Sequence, residues 1–206
     1  MKTTIILIRH GESLANAAGI YLGHTDWDLS ERGKAQAEVV ADYLADRKID
    51  RIFSSDLIRA YNTALPHARR HGLEVEKRVA LREIFLGEWE GRPVAELEQM
   101  YPEEFGIGWR LCFGTCRVPG GESVEEVARR ICTELCRIAE ECPGETVLVA
   151  SHAAAIRATW GAITGTAPED IAEHIPFPRN ASITTVVYED GALFPIEYGF
   201  DEYFNK

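Results

Sequence analysis

The sequence lacks any apolar run long enough to cross a bilayer, and it contains no repeat and no low-complexity tract. The first apolar segment begins directly after Met1 and Lys2, so we expect no signal peptide, no membrane partner and a cytoplasmic location. The 206 residues, of which 46% are hydrophobic, are enough for one domain with a sizeable core. We therefore expect a single globular domain over residues 1–206.

Basic residues are in short supply, because 22 Lys and Arg face 33 Asp and Glu, for a formal net charge of −11. A surface that binds nucleic acid is basic, so this balance argues against nucleic acid as a partner. Any site for an anion must gather its own arginines against the overall negative potential. Cysteine is scarce and odd in number, with five residues, which is typical of reduced thiols rather than of a disulfide framework.

Short apolar segments that predict strands recur along the chain. Residues 3–8 and 145–151 are continuous apolar runs, which is typical of buried parallel strands, and residues 50–54 predict another. Residues 73–79 alternate apolar and charged side chains, as an edge strand does. Two further runs, 181–188 and 192–198, predict a hairpin with a tight turn at Asp190 and Gly191.

Amphipathic segments that predict helices lie between these strands. Ser30 is a predicted N-cap for a helix over about 30–48, and Ser123 with Glu126 forms a capping box for another that ends near residue 141. A third helix over 57–71 is expected to begin at Ser55 or Asp56 and to be kinked or split at Pro66. The alternation predicts an α/β fold, a three-layer α/β/α sandwich with a mostly parallel central sheet.

Polar side chains follow several of the predicted strands. Because the carboxyl ends of parallel strands lie on one side of a sheet, we expect these side chains to converge there. Arginine suits phosphate, since its planar guanidinium donates two parallel hydrogen bonds. The residues that define this predicted anion site are Arg9, His10, Asn16, Arg59, Glu83 and His152.

Five ordered segments of the chain resemble the histidine phosphatase superfamily, which includes the cofactor-dependent phosphoglycerate mutases and many small phosphatases. A single Arg-His-Gly is a weak signal, but five motifs in the family's order are specific. The segments are LIRHGESLAN (7–16), SSDLIRAYNTA (54–64), LREIFLGEWEG (81–91), PGGES (119–123) and VLVASHAAAIR (147–157). The resemblance implies a phosphoglycerate mutase-like fold.

The resemblance implies that His10 is the nucleophile that attacks phosphorus and becomes phosphohistidine. One ring nitrogen must then be unprotonated, and we expect the other to donate to a backbone carbonyl. Arg9, Arg59 and His152 would hold the phosphoryl oxygens, and Asn16 would add a neutral donor. Such a cluster supplies positioning and charge without a metal or other cofactor.

The same resemblance makes Glu83 the proton donor to the leaving oxygen and then the base for the attacking water, with Glu88 or Glu90 as alternatives. The family usually has small glycines after the second histidine, whereas this chain has Ala153 and Ala154. Alanine tolerates fewer backbone conformations, so a phosphate contact from the Ala153 amide is less certain to have the family's geometry.

Three functions remain open at this stage. The chain is shorter than the mutases, and its motifs resemble the branch of α-ribazole phosphatases and broad-specificity phosphatases. We therefore predict a metal-independent, acid-type histidine phosphatase that hydrolyses phosphomonoesters of small metabolites. A cofactor-dependent phosphoglycerate mutase is the first alternative, and an inactive module that binds phosphorylated ligands is the second.

Residues 93–120 predict a lid-like insertion that chooses the substrate. Trp109 and Arg110 from this segment, and His24 from an earlier loop, are candidate substrate contacts; the alternative is that the aromatic residues fill a small core beneath the lid.

The spacings Cys112–Cys116 and Cys132–Cys136 leave open a zinc site, although cysteine is also a common buried residue. A homodimer is plausible through a sheet edge.

Overall fold

A six-stranded sheet lies at the centre of the computed structural model, which describes residues 1–205. Residue 206, the last of the predicted domain, lies outside the described residues. The strands are β1 (Thr3–Arg9), β2 (Arg51–Ser54), β3 (Val75–Lys77), β4 (Thr146–Ser151), β5 (Ile183–Glu189) and β6 (Ala192–Phe200). Their order across the sheet is β3-β2-β4-β1-β5-β6. The strands β3, β2, β4 and β1 run parallel to one another, whereas β5 is antiparallel to β1 and β6 is antiparallel to β5.

Helices pack on both faces of this sheet. Alternate residues of the strands enter two separate cores, so that Ile5 and Leu7 face one side while Ile6 and Ile8 face the other. The α-helices are α1 (Leu14–Ala17), α2 (Glu31–Tyr43), α3 (Ile58–His71), α4 (Val94–Met100), α5 (Val124–Glu141), α6 (Ala153–Thr164) and α7 (Ile171–His174). Residues of α2 and α3 fill one core and residues of α5 and α6 the other. The predicted α/β sandwich with a mostly parallel sheet is confirmed.

Helix starts follow the predicted caps in two cases and differ in a third. Ser30 Oγ accepts from the Gly33 amide at 3.0 Å, and Ser123 forms the predicted capping box. The prediction for α3 is wrong, because neither Ser55 nor Asp56 caps it. Its first amide, on Ile58, donates instead to Asp26 Oδ1 at 2.8 Å, from a loop distant in sequence.

Two predicted helix boundaries also differ. The helix α2 ends at Tyr43, before the predicted end near residue 48. The helix α3 runs without a break through Pro66, so the predicted split does not occur. Pro66 is buried on the face that packs into the fold, and this tertiary packing outweighs the hydrogen bond that proline cannot donate.

His67 on α3 gives the fold a dependence on pH. The side chain is fully buried, and neither ring nitrogen has a partner among the residues described. Burial, together with the nearby His71 and Arg70, lowers the pKa of His67 to about 3. The folded chain therefore keeps this ring neutral at pH values where an unfolded chain would protonate it.

We expect the free energy of unfolding to decrease as the pH falls below the unfolded-state value of about 6.5, by about 1.4 kcal/mol per pH unit from this histidine alone. Above that pH the ring is neutral in both states, so the effect disappears. Chemical unfolding between about pH 7 and pH 5 should show that the free energy of unfolding falls less steeply with pH in His67→Leu than in the wild type, by a difference that approaches one proton toward pH 5. His174→Leu, at an exposed site, is the control. An unchanged slope in His67→Leu would contradict the assignment.

Among residues 1–205, no helix is both long enough and apolar enough to cross a membrane.

Candidate active site

Two histidines meet where β1 and β4 end side by side. The parallel register pairs Arg9 with Ser151, and the His10 amide donates to the Ser151 carbonyl at 3.0 Å. The next residue after each strand is a histidine. The ring centroids of His10 and His152 are consequently 5.2 Å apart, with an angle of 61° between the ring planes. Ligands of open α/β sheets bind at this carboxyl edge.

The His10 ring is held in one orientation and one tautomer. Its Nδ1 lies 2.7 Å from the Gly11 carbonyl oxygen, and because a carbonyl can only accept, Nδ1 carries the proton. Nε2 is then the unprotonated nitrogen. Burial lowers the pKa of His10 well below its ordinary value, and the charges of Arg59 and Arg9 lower it further. His10 is therefore a neutral imidazole with a free lone pair at neutral pH.

Two glycines hold the turn after His10 against the start of α2. A Cβ on Gly33 would lie 1.9 Å from the Glu12 carbonyl oxygen, and one on Gly11 would lie 2.4 Å from the Gly33 carbonyl oxygen. Only glycine fits at both positions. This close backbone contact fixes the Gly11 carbonyl that orients the His10 ring.

Arg9 and Arg59 bring two guanidinium groups to the site, each anchored by backbone carbonyls. Arg9 Nη1 donates to Pro178 O at 2.6 Å, while Arg59 donates to Thr25 O at 3.0 Å and to Gly23 O at 2.7 Å. Arg9 Nε is buried and has no partner within residues 1–205. Burial lowers the pKa of both groups, but arginine stays protonated in proteins. The pair supplies two fixed positive charges.

His152 is completely buried beside His10. Neither of its ring nitrogens has a hydrogen-bond partner in the described part of the chain. Burial lowers the pKa of His152 well below its ordinary value, with Arg59 and His10 adding to the effect. Both ring nitrogens of His67 also lack partners, so this lack alone does not mark a ligand position; His152 belongs to the site because its ring packs against that of His10.

The Glu83 carboxyl group lies at the N-terminus of α6. Its Oε1 accepts from the Ala155 amide at 2.9 Å and from the Ile84 amide at 3.0 Å, and its Oε2 accepts from the Ala154 amide at 3.1 Å. Helix N-termini stabilise negative groups in this way. Oε2 receives a single amide and so keeps an acceptor position for a proton. Ala153, at the start of the same helix, lines the cavity with Glu83.

The segment that carries Glu83 is held from behind by Arg130. This side chain donates to the carbonyls of Ala80 at 3.0 Å, Arg82 at 2.9 Å and Glu83 at 3.2 Å. Glu122 pairs with the same guanidinium at 2.7 Å. A long helix, α5, thereby fixes the position of the Glu83 loop relative to the sheet.

The alternative acids Glu88 and Glu90 do not line the cavity. Glu88 accepts from the Tyr101 hydroxyl at 2.9 Å. Glu90 accepts from the amides of residues 23–25 and from the Thr25 hydroxyl, which clamps that loop. Burial opposes ionisation of Glu90, but these hydrogen bonds outweigh it and lower its pKa. Both carboxylates are therefore committed to loop structure, and Glu83 is the one in position.

Asn16 lies at the mouth of the site, where two contacts orient it. Its Oδ1 accepts from the Ser13 amide at 3.2 Å, as part of the capping box of α1, and from Asn180 Nδ2 at 3.4 Å. Asn180 Nδ2 also donates to the His10 carbonyl at 3.1 Å. With its oxygen engaged in this way, the Asn16 amide nitrogen is left as a donor toward a ligand.

A cavity of about 320 Å³ opens between these groups. Its volume suits a small metabolite rather than a polymer. It brings together seven residues predicted from the sequence: Arg9, His10, Asn16, Arg59, Glu83, Trp109 and Ala153. His152, also a predicted phosphate contact, is completely buried against His10 and does not line the cavity. Apolar side chains form much of the remaining wall, including Ile20, Leu22, Val94 and Phe177.

Two predicted substrate contacts lie elsewhere. His24 turns its Nε2 to the Glu83 carbonyl at 2.9 Å and does not line the cavity. Arg110 is exposed and pairs with Glu98, because that carboxylate is within reach on the neighbouring α4. The predictions that His24 and Arg110 contact substrate are not supported by these positions.

Trp109, in the 93–120 segment, both packs in a core beneath that segment and lines the cavity. It packs with Phe105 and Phe113 into the core that includes α5, so the aromatic residues do fill a core beneath this segment. Its indole edge also reaches the cavity, where Nε1 donates to the Tyr21 hydroxyl at 2.6 Å. A single side chain thereby links the covering segment to the wall of the site.

Sequence reasoning missed three residues of the site: Tyr21, Phe177 and Asn180. Phe177 and Asn180 lie in the loop after α7, which no motif marks, and they reach the site because Arg9 and the His10 carbonyl bind that loop. Tyr21 lies between two glycines of an irregular loop. The one available signal was its position shortly after Asn16 in the first motif.

No group of three or more His, Cys, Asp or Glu side chains in residues 1–205 is arranged to hold a metal ion. The cysteines of the two CxxxC spacings are free thiols, and Cys112 is exposed while Cys116 is buried. Cys132 and Cys136 are both half-buried, and neither spacing is part of a larger group of possible ligands within residues 1–205.

Comparison with known proteins agrees with this geometry. The sequence model of the histidine phosphatase superfamily (branch 1) matches residues 5–199. Phosphoserine phosphatase 1 of Hydrogenobacter thermophilus is 40% identical over 161 residues, covering 78% of this chain and 76% of that protein. Phosphoglycerate mutase-like protein 4 of Arabidopsis thaliana is 36% identical over 163 residues, covering 76% and 69%. The mycobacterial glucosyl-3-phosphoglycerate phosphatase has a structure with a TM-score of 0.87 and 27% identity, covering 98% of this chain and 100% of that one.

The chain therefore belongs to the histidine phosphatase superfamily, and the resemblance found in its five motifs is confirmed. The relatives named as phosphatases also bear out the predicted class of enzyme, a phosphoric monoester hydrolase. The roles of the individual site residues follow as proposals.

Proposed function

We propose that this chain hydrolyses small phosphomonoesters through a phosphohistidine formed on His10. The observation that carries the proposal is the bare Nε2 of His10 beside two anchored guanidinium groups. A neutral nucleophile next to fixed positive charge suits attack on an anionic ester. The relatives named for phosphoserine and for glucosyl-3-phosphoglycerate support a small phosphorylated substrate.

In the first step, the His10 Nε2 lone pair forms a bond to phosphorus while the bond from phosphorus to the alcohol oxygen breaks. Arg9 and Arg59 neutralise the phosphoryl oxygens, and His152 and the Asn16 amide complete their hydrogen bonds. Glu83 acts as the general acid and delivers a proton through Oε2 to the departing oxygen. The alcohol leaves, and the phosphoryl group stays on His10.

In the second step, water attacks the phosphorus atom of phosphohistidine. Glu83 is now a carboxylate stabilised by the α6 amides and accepts the proton of the water. The bond from nitrogen to phosphorus breaks, inorganic phosphate leaves, and His10 returns to the neutral form. The Ala153 amide, at the first turn of α6, would donate to a phosphoryl oxygen during both steps, and the position of Ala153 in the cavity wall supports this role.

A phosphoglycerate mutase is the second candidate, because a relative from Yersinia enterocolitica, 34% identical over 188 residues, is named a probable phosphoglycerate mutase. Both activities pass through the same intermediate and differ in the acceptor of the phosphoryl group. We expect free phosphate in a one-to-one ratio with the released alcohol, measured by product analysis of a panel of phosphomonoesters. Isomerised phosphoglycerate that depends on added bisphosphoglycerate, with little free phosphate, would overturn the choice. Tight binding without turnover would indicate the inactive module instead.

We also propose that residues 1–206 act as one domain, in which residues 93–120 cover the cavity. The buried Phe105, Trp109 and Phe113 support this arrangement, since they tie the segment to the core.

Five free thiols support a reducing compartment such as the cytoplasm. Exposed Phe194 and Ile196 on the edge strand β6 support a homodimer through that edge.

A further inference from the structure

The cavity divides into a charged end and an apolar end. Arg9, His10, Arg59 and Glu83 form the charged end, which under the proposed function holds the phosphoryl group. The wall beyond it, where the alcohol part of an ester must lie, is formed by Ile20, Leu22, Leu86, Val94, Trp109 and Phe177. Phe177 and Trp109 stack on each other with their ring centroids 6.1 Å apart and their planes at 29°, which joins these two aromatic side chains of the wall.

The cations that line the cavity lie at its phosphoryl end, and Arg157 lies behind the apolar wall, 4.2 Å from the Phe177 ring centroid, where it donates to the carbonyls of Ile171, Ala172 and Ile175. Of the residues that the structure describes, Arg9 and Arg59 are the arginines or lysines that line the cavity, and the phosphoryl group requires both. Three other arginines, two in residues 93–120 and one directly before them, pair with carboxylates outside the cavity. Arg92 pairs with Glu96 at 2.5 Å, Arg117 pairs with Glu126 at 3.1 Å, and Arg110 pairs with Glu98.

A second negative charge on the substrate would therefore enter an unfavourable place. The second negative charge would be desolvated against apolar side chains, and no arginine or lysine that lines this end of the cavity would pair with it. Burying an unpaired carboxylate is costly, and an enzyme discriminates strongly against substrate groups that it leaves without partners.

One neutral hydrogen bond is available at this end. The Tyr21 hydroxyl accepts from Trp109 Nε1 at 2.6 Å, so its own proton is free to donate to a ligand. Burial raises the pKa of Tyr21 to about 12, against the lowering effect of the Trp109 hydrogen bond, so the hydroxyl keeps its proton at neutral pH. A hydroxyl or ether oxygen on the substrate would suit this donor.

We infer that the substrate of this enzyme is the phosphomonoester of an uncharged alcohol with an apolar body and an oxygen that accepts from Tyr21. This inference rests on the proposed function. It departs from the substrates in the names of the relatives, since phosphoserine and the phosphoglycerates carry a carboxylate beside the phosphate.

The test uses two matched pairs of esters that differ in a carboxylate. The pairs are phenyl phosphate with 4-carboxyphenyl phosphate, and glycerol 3-phosphate with 3-phosphoglycerate. We expect kcat/KM, followed by phosphate release, to be higher for the uncharged member of each pair by about 10-fold or more. Equal rates, or a preference for the carboxylated members, would overturn the inference while leaving the phosphatase intact. Absence of phosphate release from all four esters would instead refute the proposed function, and the inference with it.

An added cation should change this preference. Ile20 lines the apolar end and is partly exposed, so Ile20→Arg places a guanidinium where the alcohol lies. We expect this variant to reduce the preference in kcat/KM for the uncharged ester of each pair, or to reverse it. Val39→Arg, on the outer face of α2, adds the same charge away from the cavity and should keep the wild-type ratio. If Val39→Arg changed the ratio of kcat/KM as much as Ile20→Arg does, the effect would not be local to the cavity. If either variant folds poorly, the ratios measured on the wild-type protein still test the inference.

Discussion

His10→Gln should lower kcat by at least about four orders of magnitude, because the phosphoryl group then has no nitrogen on which to transfer. Glutamine keeps much of the volume of histidine and a polar group near the Gly11 carbonyl, so the turn that it occupies should stay folded. The loss should appear for every phosphomonoester, since each one requires the same intermediate. Steady-state phosphate release, with thermal unfolding as a check on the fold, measures the effect.

His174→Gln is the matched control for this change. His174 is exposed on α7 and contacts only the Asp170 carbonyl, at 3.0 Å, within the described residues. Its replacement should leave kcat within about a factor of two, as for a surface substitution that does not contact the site. If His10→Gln kept a tenth or more of the wild-type kcat, a side chain other than His10 would have to accept the phosphoryl group.

Glu83→Gln should reduce kcat/KM by about 100-fold to 1,000-fold for esters of alkyl alcohols, because an alkoxide leaves poorly without a proton. The same variant should lose much less activity with 4-nitrophenyl phosphate, whose nitrophenoxide leaves without protonation. This dependence on the leaving group separates proton donation from a general loss of structure. The variant also places an amide beside the Ala154 N–H, so its stability should be measured alongside.

Glu88→Gln is the matched control for Glu83, since both belong to the same motif and Glu88 was the alternative acid. The structure commits Glu88 to the Tyr101 hydroxyl, outside the cavity. We expect its activity to stay near the wild type with both classes of ester. A leaving-group dependence in Glu88→Gln, and none in Glu83→Gln, would reverse the assignment of the acid.

Much of the fold was predictable because its signals are local. The continuous apolar runs became β1 and β4, and their shared carboxyl edge brought His10 and His152 together as predicted. Capping at Ser30 and Ser123 was also readable, since a cap and its target are three residues apart. These features depend on neighbours in sequence, and a pattern of residue types records them directly.

The errors come from contacts between distant parts of the chain. Asp26 caps α3 in place of Ser55 or Asp56, across 32 residues. The loop around Phe177 joins the site because Arg9 binds the Pro178 carbonyl, 169 residues away. Arg110 turns away because Glu98 is within reach on a neighbouring helix. Residue types at fixed spacings do not record which of several possible partners a long side chain meets in the folded protein.

The two alanines after His152, where the family usually has glycines, show the same difference between what a local pattern records and what contacts between distant residues decide. The sequence showed that Ala153 and Ala154 replace the family's small glycines, and it left their phosphate contact in doubt. In the structure, the Ala154 and Ala155 amides donate to Glu83, while Ala153 lines the cavity. The first turn of α6 thus orients the proposed acid with two amides and leaves the residue nearest His152 for substrate.

The central claim is that the phosphoryl group passes through His10 Nε2, and direct localisation of that group tests it. Enzyme mixed rapidly with a ³²P-labelled phosphomonoester should be quenched in alkaline denaturant, digested and sequenced by mass spectrometry. The account predicts a phosphoryl group that is labile in acid, stable in base, formed as fast as turnover requires and attached to His10. Label on His152, on a carboxylate or on a cysteine, or turnover with no labelled enzyme, would contradict it.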